Sequence, residues 1–111
     1  MCIRDSTSGD RNVYIGVEAG KSTTGSDNIA IGTQALQRTS TGGYNTAIGG
    51  RYTLFMNTGQ QNTVVGYAAA QGTGSASKNT VVGCDALRTN TNWGEQTAIG
   101  FEALYLSLIH I

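Results

Sequence analysis

The pentad Asn-x-x-Ile/Val-Gly recurs along almost the whole chain, and no other feature constrains the fold as tightly. Its glycines fall at Gly16, Gly32, Gly49, Gly66, Gly83 and Gly100, with gaps of 16, 17, 17, 17 and 17 residues. The leading position holds Asn12, Asn28, Asn45, Asn62 and Asn79, then Gln96 as a near-match. Ile15, Ile31, Ile48, Val65, Val82 and Ile99 stand just before the glycines. Three residues after them come Ala19, Ala35, Ala69, Ala86 and Ala103, with Tyr52 as the departure, and Leu36, Leu87 and Leu104 follow the alanine. A period of 17 is too short for paired-helix repeats, which need more than about 30 residues. The Asn-Thr-Ala-Ile-Gly stretch has the Thr, Val and Ile content of a short strand, and the Ala-Leu stretch reads as a second one. Thr, Ser, Asn and Gly between repeats supply turn chemistry. Two short strands and two turns make one coil. The expected architecture is therefore all-β, a parallel solenoid of about six 17-residue coils stacked at about 4.8 Å.

Each column then has a physical role. The Ile/Val column is expected to fill the interior, each coil burying what its neighbour leaves exposed. The glycine column suits a bend at positive φ or a close backbone approach. The asparagines either form a hydrogen-bonded ladder along the axis or make local turn bonds. The residue before each Ile/Val points to the opposite face and reads Tyr14, Ala30, Ala47, Val64, Val81 and Ala98, small or apolar throughout. A strand apolar on both faces is usually covered on both. This column is accordingly expected to meet another chain, most simply in a parallel homotrimer.

Composition narrows the function. Net charge is zero and charged residues are 13% of the chain, which argues against a nucleic-acid partner, since that needs a basic stripe. No apolar run is long enough for a membrane span, so no membrane association is expected of this fragment. The low charge and the Thr, Asn and Gly content would suit a disordered chain, but the strict period argues against that.

The two ends, residues 1–6 and 106–111, read as translated adapter DNA. One back-translation of Met1-Cys2-Ile3-Arg4-Asp5-Ser6 is ATG TGT ATA AGA GAC AG. Its reverse complement translates as Leu-Ser-Leu-Ile-His-Ile, the sequence of residues 106–111. The string resembles a transposon-end adapter used in sequencing libraries. Such segments are set aside from fold reasoning, leaving residues 7–105 as the expected repeat domain and an internal piece of a longer protein. Without the ends, Cys2 and the sole histidine, His110, drop out, and Cys84 is the one cysteine left.

Chemistry is sparse in 7–105. A histidine-free segment offers no His-based triad and few transition-metal sites. Asp85 and Glu102 lie one coil apart, with Glu18 in or beside the same column, and paired carboxylates could in principle cleave a glycoside. Gln34, Arg51 and Ala68 between them suggest a solvated, variable face instead. Thr46, Thr63, Thr80 and Thr97 form a column that could order water as in ice-binding solenoids, although their same-face neighbours are Ile or Val. Cys84 is expected to be a free thiol in a variable column with Val17, Thr33, Gly50, Tyr67 and Phe101. The glycines end in no Gly-Lys-Ser/Thr and form no phosphate loop. No catalytic residue, cofactor or metal is expected. If the segment binds a receptor, the turns would do it, through Tyr44, Tyr52, Phe55 or Trp93.

Asn45-Thr46-Ala47-Ile48-Gly49 and Asn79-Thr80-Val81-Val82-Gly83, followed by Ala86-Leu87, resemble the head repeats of YadA-type trimeric autotransporter adhesins and the related repeats of bacteriophage tail fibres. The resemblance covers about residues 12–104. It implies a left-handed parallel β-roll, three chains side by side, and an extracellular, surface-displayed adhesive rod on a virion or a bacterial cell, meeting a glycan or protein receptor. The coil is longer than is usual in adhesin heads, and Tyr52-Thr53 and Gln96 depart from the pattern. The alternatives are a polysaccharide-degrading tail spike and an ice-binding solenoid.

Overall fold

A computed structural model describes residues 3–4, 11–38, 41–55, 58–89 and 94–104. The described residues contain no helix; their strands form one sheet ordered β1 to β7 along the chain. The repeating strands are β2 (Val13–Ile15), β3 (Ile29–Ile31), β4 (Thr46–Ile48), β5 (Thr63–Val65), β6 (Thr80–Val82) and β7 (Thr97–Ile99). All six are parallel and in register, with Val13, Ile29, Thr46, Thr63, Thr80 and Thr97 aligned from coil to coil. The chain is a parallel β-solenoid, and each pentad supplies one strand per coil. Ahead of them, β1 (Ile3–Arg4) runs antiparallel along β2. An open strand edge offers unpaired N–H and C=O groups to any extended segment that reaches it.

The faces of the sheet are the reverse of the sequence expectation. Tyr14, Ala30, Ala47, Val64, Val81 and Ala98 are buried, at 0–2% exposure, and make up the strand side of the core. The Ile/Val column faces out: Ile48, Val65, Val82 and Ile99 are exposed, and Ile15 and Ile31 half-buried. Coil width explains the inversion. The inward residue shares a thin interior with the residue four or more positions past the glycine, where Leu36, Leu54 and Leu87 are fully buried. Volume is traded across that gap in three coils, where Ala30 accompanies Leu36, Ala47 accompanies Leu54 and Val64 accompanies Ala70, while the next coil holds both Val81 and Leu87 inside. At one end the large Tyr14 ring occupies the space opposite Gly20, where any Cβ would collide with it. An interior filled to crystal-like density has no room for Ile and Leu on both sides.

The return segment is not a second strand. Its residues alternate in φ sign, with positive values at Glu18, Gln34, Leu36, Leu54, Ala68, Ala70, Asp85 and Leu87. That excludes extended β backbone. Tight turns form instead, with the Ala19, Ala35 and Ala103 amides donating to the carbonyls of Gly16, Gly32 and Gly100 at 3.2–3.3 Å. A residue with positive φ at the third position is what such turns require. Coils are still bonded to each other along this side, as in Leu36 N–H to Thr53 O at 3.0 Å and Leu54 N–H to Ala69 O at 2.9 Å.

Those bonds also reassign the irregular third coil. Thr53, fully buried, occupies the alanine column and Leu54 the leucine column. Tyr52 is not in the alanine column; it takes the left-handed slot held elsewhere by Glu18, Gln34, Ala68, Asp85 and Glu102. Gly50 is thus a one-residue insertion. The Thr53 hydroxyl fastens it by donating to the Gly50 carbonyl at 2.9 Å, and it lies 2.5 Å from the Gly66 carbonyl.

The asparagine column is a buried ladder between coils. The Oδ1 atoms of Asn12, Asn28, Asn45, Asn62 and Asn79 accept the backbone N–H of the next ladder residue at 2.8–3.0 Å. The Nδ2 groups of Asn12, Asn28, Asn45 and Asn62 donate to the carbonyls of Gly25, Gly42, Gly59 and Ala76 at 2.9–3.1 Å. Gln96 supplies its backbone N–H to Asn79 in the same way. The pentad glycine is forced by the same close stacking. Gly66 has φ +136, and a Cβ there would strike the Gly83 carbonyl oxygen of the next coil.

Candidate binding surfaces

Three-residue strands with one inward residue turn the other two outward. The outer sheet face therefore carries two adjoining columns. One is Val13, Ile29, Thr46, Thr63, Thr80 and Thr97, and the other is Ile15, Ile31, Ile48, Val65, Val82 and Ile99. Neither contains a charged residue. Val13 is 46% exposed and Ile99 66%, with Ile29, Ile48, Val65 and Val82 between 36% and 39%. β-Branched side chains held in register on a parallel sheet make this face regular in both directions.

The corner before the ladder holds Arg11, Asp27, Tyr44, Gln61, Lys78 and Glu95, each at positive φ. Arg11 clamps Asp27 through Nε and Nη2 at 2.6 and 2.9 Å, and this guanidinium holds the Asp27 carboxyl below its ordinary range. Lys78 and Glu95 pair at 3.7 Å. Tyr44 sits between these ion pairs and is 60% exposed. Beside the second pair is a shallow open depression of about 300 Å³, lined by Ser75, Ala76, Ser77, Lys78, Gly94 and Glu95.

The inserted coil brings Tyr52 and Phe55 together. Their rings meet edge to face at 4.6 Å between centroids and 76° between planes, with the Arg51 guanidinium 5.3 Å above Tyr52. Both aromatics are half-buried. Tyr44 belongs to a different corner, and Trp93 lies outside the described residues.

A further corner row appears in the sequence only as the variable column of Cys84, and its candidacy as a surface was missed. The Ala68, Asp85 and Glu102 amides donate to the carbonyls of Arg51, Tyr67 and Cys84 at 2.9–3.1 Å. These bonds place Arg51, not Gly50, in one row with Tyr67, Cys84 and Phe101. Tyr67 is 53% exposed and Phe101 72%. The signal was present, since both follow a pentad glycine directly, where the chain turns away from the sheet.

Two of the acids next to this row, Glu18 and Asp85, are tied down. Glu18 accepts from Gln34 and Gln37 side chains at 3.0 and 2.6 Å and from Lys21 at 3.2 Å. The Gln34 bond above all, helped by Lys21, lowers its pKa. Asp85 accepts the Cys84 thiol at 3.4 Å and pairs with Arg88 at 3.5 Å. Cys84 is free and half-buried, and burial together with the Asp85 carboxylate pushes its thiol pKa up. Among the described residues no group of three or more His, Cys, Asp and Glu is placed to hold a metal ion.

Comparison with family models, with curated proteins and with solved structures returned no match. The fold by itself defines the class: a parallel β-solenoid repeat protein.

Proposed function

We propose that the chain is a structural and adhesive segment of an extracellular fibre, a stiff rod that self-associates through its outer sheet face and is not an enzyme. The uncharged Thr and Ile/Val face carries this reading. A contiguous apolar surface rimmed by polar residues marks an interaction site. Its regularity along the axis suits a partner with the same period, which a second copy of this chain supplies in register. The face calls for at least one partner copy. Three copies follow from the resemblance to trimeric adhesin heads and tail fibres. Ion pairs, turns and aromatic corners then lie on the outside, each presented in triplicate, so that weak contacts add as avidity.

Sedimentation equilibrium tests this. The chain is expected at three times its monomer mass, and the double variant Val65→Asp/Val82→Asp at monomer mass with its β circular-dichroism signal retained. A wild-type monomer at micromolar concentration would remove the proposed assembly. A monomer that also produced thermal hysteresis lost in Thr63→Leu would establish the ice-binding alternative in its place.

A further inference from the structure

We infer that the corner row Arg51, Tyr67, Cys84 and Phe101, edged by Asp85 and Glu102, is a binding site for a neutral saccharide chain laid along the solenoid axis. The inference rests on the fibre reading and names the ligand class for it. Tyr67 and Phe101 are the two most exposed aromatics of the row. They stand two coils apart, about 9–10 Å at the spacing of stacked strands, which is about the length of two pyranose units. Cys84 between them is small, so the row presents two raised rings with a hollow between.

The support beneath is firm. Tyr67 lies against the inserted Gly50, where a Cβ would sit 3.3 Å from its Cδ2. Arg51 is held over Tyr52 at the near end. A ring with an apolar face and little conformational freedom suits the C–H face of a pyranose.

The polar half of the chemistry is next to the rings. Asp85 and Glu102 directly follow Cys84 and Phe101, and both hold the same left-handed conformation, with φ of 55°. Asp85 is fixed by the thiol and by Arg88, which itself donates to Gln71 at 3.0 Å. The exposed Glu102 carboxylate accepts strong hydrogen bonds from sugar hydroxyls, whereas the Asp85 Oδ1 is buried. Arg51 and Arg88 offset Asp85 and Glu102, so the site carries no net charge to attract uronates or sialates, which favours neutral sugars. A chain running along the axis meets Tyr67, then Asp85 one coil on, then Phe101 with Glu102 beside it.

Affinity electrophoresis of the full chain tests this, in gels containing hydroxyethylcellulose, dextran or mannan, with polygalacturonate as the anionic polymer. Retardation by at least one neutral polymer and none by polygalacturonate is expected. Tyr67→Ala and Phe101→Ala should each raise the dissociation constant at least tenfold, while Tyr44→Ala, on another corner, leaves it unchanged. Both positions are exposed, so the variants should retain the β circular-dichroism signal. Absence of retardation in all three neutral gels, equal retardation by polygalacturonate, or undiminished binding by both alanine variants would each overturn the site. Sedimentation of the same samples separates the two readings: a trimer that fails to bind removes this site alone, and a binding monomer removes the assembly alone.

Discussion

Val64 and Val65 are the same residue type, adjacent in β5, and face opposite worlds. Val64 is completely buried and Val65 is 36% exposed. The contrast holds along the sheet. The inner face carries Ala or Val at most positions and a buried asparagine ladder, whereas the outer face carries the bulkier Ile and Val with Thr. At most strand positions the smaller apolar side chain is thus kept inside and the larger one displayed, while the bulky interior residues Leu36, Leu54 and Leu87 come from the return side. Interior size is limited by the width of a coil, while the outer face has no such limit. Apolar volume placed there costs solubility unless another surface covers it.

Charge at the two valines breaks this comparison most directly. Val64→Asp would bury an unpaired carboxylate, at a cost of about 4 kcal/mol or more. Loss of the cooperative urea transition is expected. Val65→Asp should shift folding by only about 0.5 kcal/mol, as exposed substitutions do, while abolishing association. Equal damage from both would mean that the outer face is as much a core as the inner one.

The next largest effect concerns the glycines. Gly66→Ala combines positive φ with a collision against the Gly83 carbonyl, about 3 kcal/mol in all. Gly100→Ala has similar φ, +127, but its nearest neighbour to the new Cβ is Ala103 at 3.9 Å, so about 1 kcal/mol is expected. Urea midpoints of the two variants should differ accordingly. On the inner face, Asn45→Ala removes the acceptor for the Asn62 N–H and the donor to Gly59 O, costing about 1–3 kcal/mol for the buried Asn62 N–H that loses its acceptor. Hydrogen exchange should accelerate first at Asn62, which reads the ladder bond itself.

The register of the coils was legible because two positions are stereochemically forced. The glycine has no substitute beneath the next coil's carbonyl, and the asparagine carries both donor and acceptor for its neighbours. The inward face was misread because bulk was taken as the mark of a core. Parity gave the right answer: Asn12 and Tyr14, or Asn62 and Val64, are two residues apart and share a face, so a buried ladder takes Val64 inside with it. The return segment was misread because non-glycine residues such as Leu36 and Asp85 seldom adopt positive φ, and nothing in their identity announces it. Tyr52 was misplaced because a coil of 17 residues can hide an insertion that is compensated before the next pentad. Of the candidate contacts, Tyr52 and Phe55 do meet, whereas Tyr67 and Phe101 were passed over as members of a variable column.

The smallest expected effect lies on the return side, where Glu18 joins two coils through Gln34 and Gln37. Its pKa is lowered in the folded chain, chiefly by the Gln34 bond and then by Lys21. A carboxylate with a depressed folded pKa contributes stability above its unfolded pKa and loses it as pH falls through the folded value. The contribution should therefore be intact at pH 7 and gone once pH has dropped well below the ordinary glutamate range. Solvent screening keeps it small. Glu18→Gln should flatten this part of the pH dependence, with the melting temperatures of variant and wild type converging as pH falls. A difference that stayed constant from pH 7 to pH 3 would assign the effect to packing by the Glu18 stem, and 0.5 M salt should shrink the Lys21 share but not the share due to Gln34.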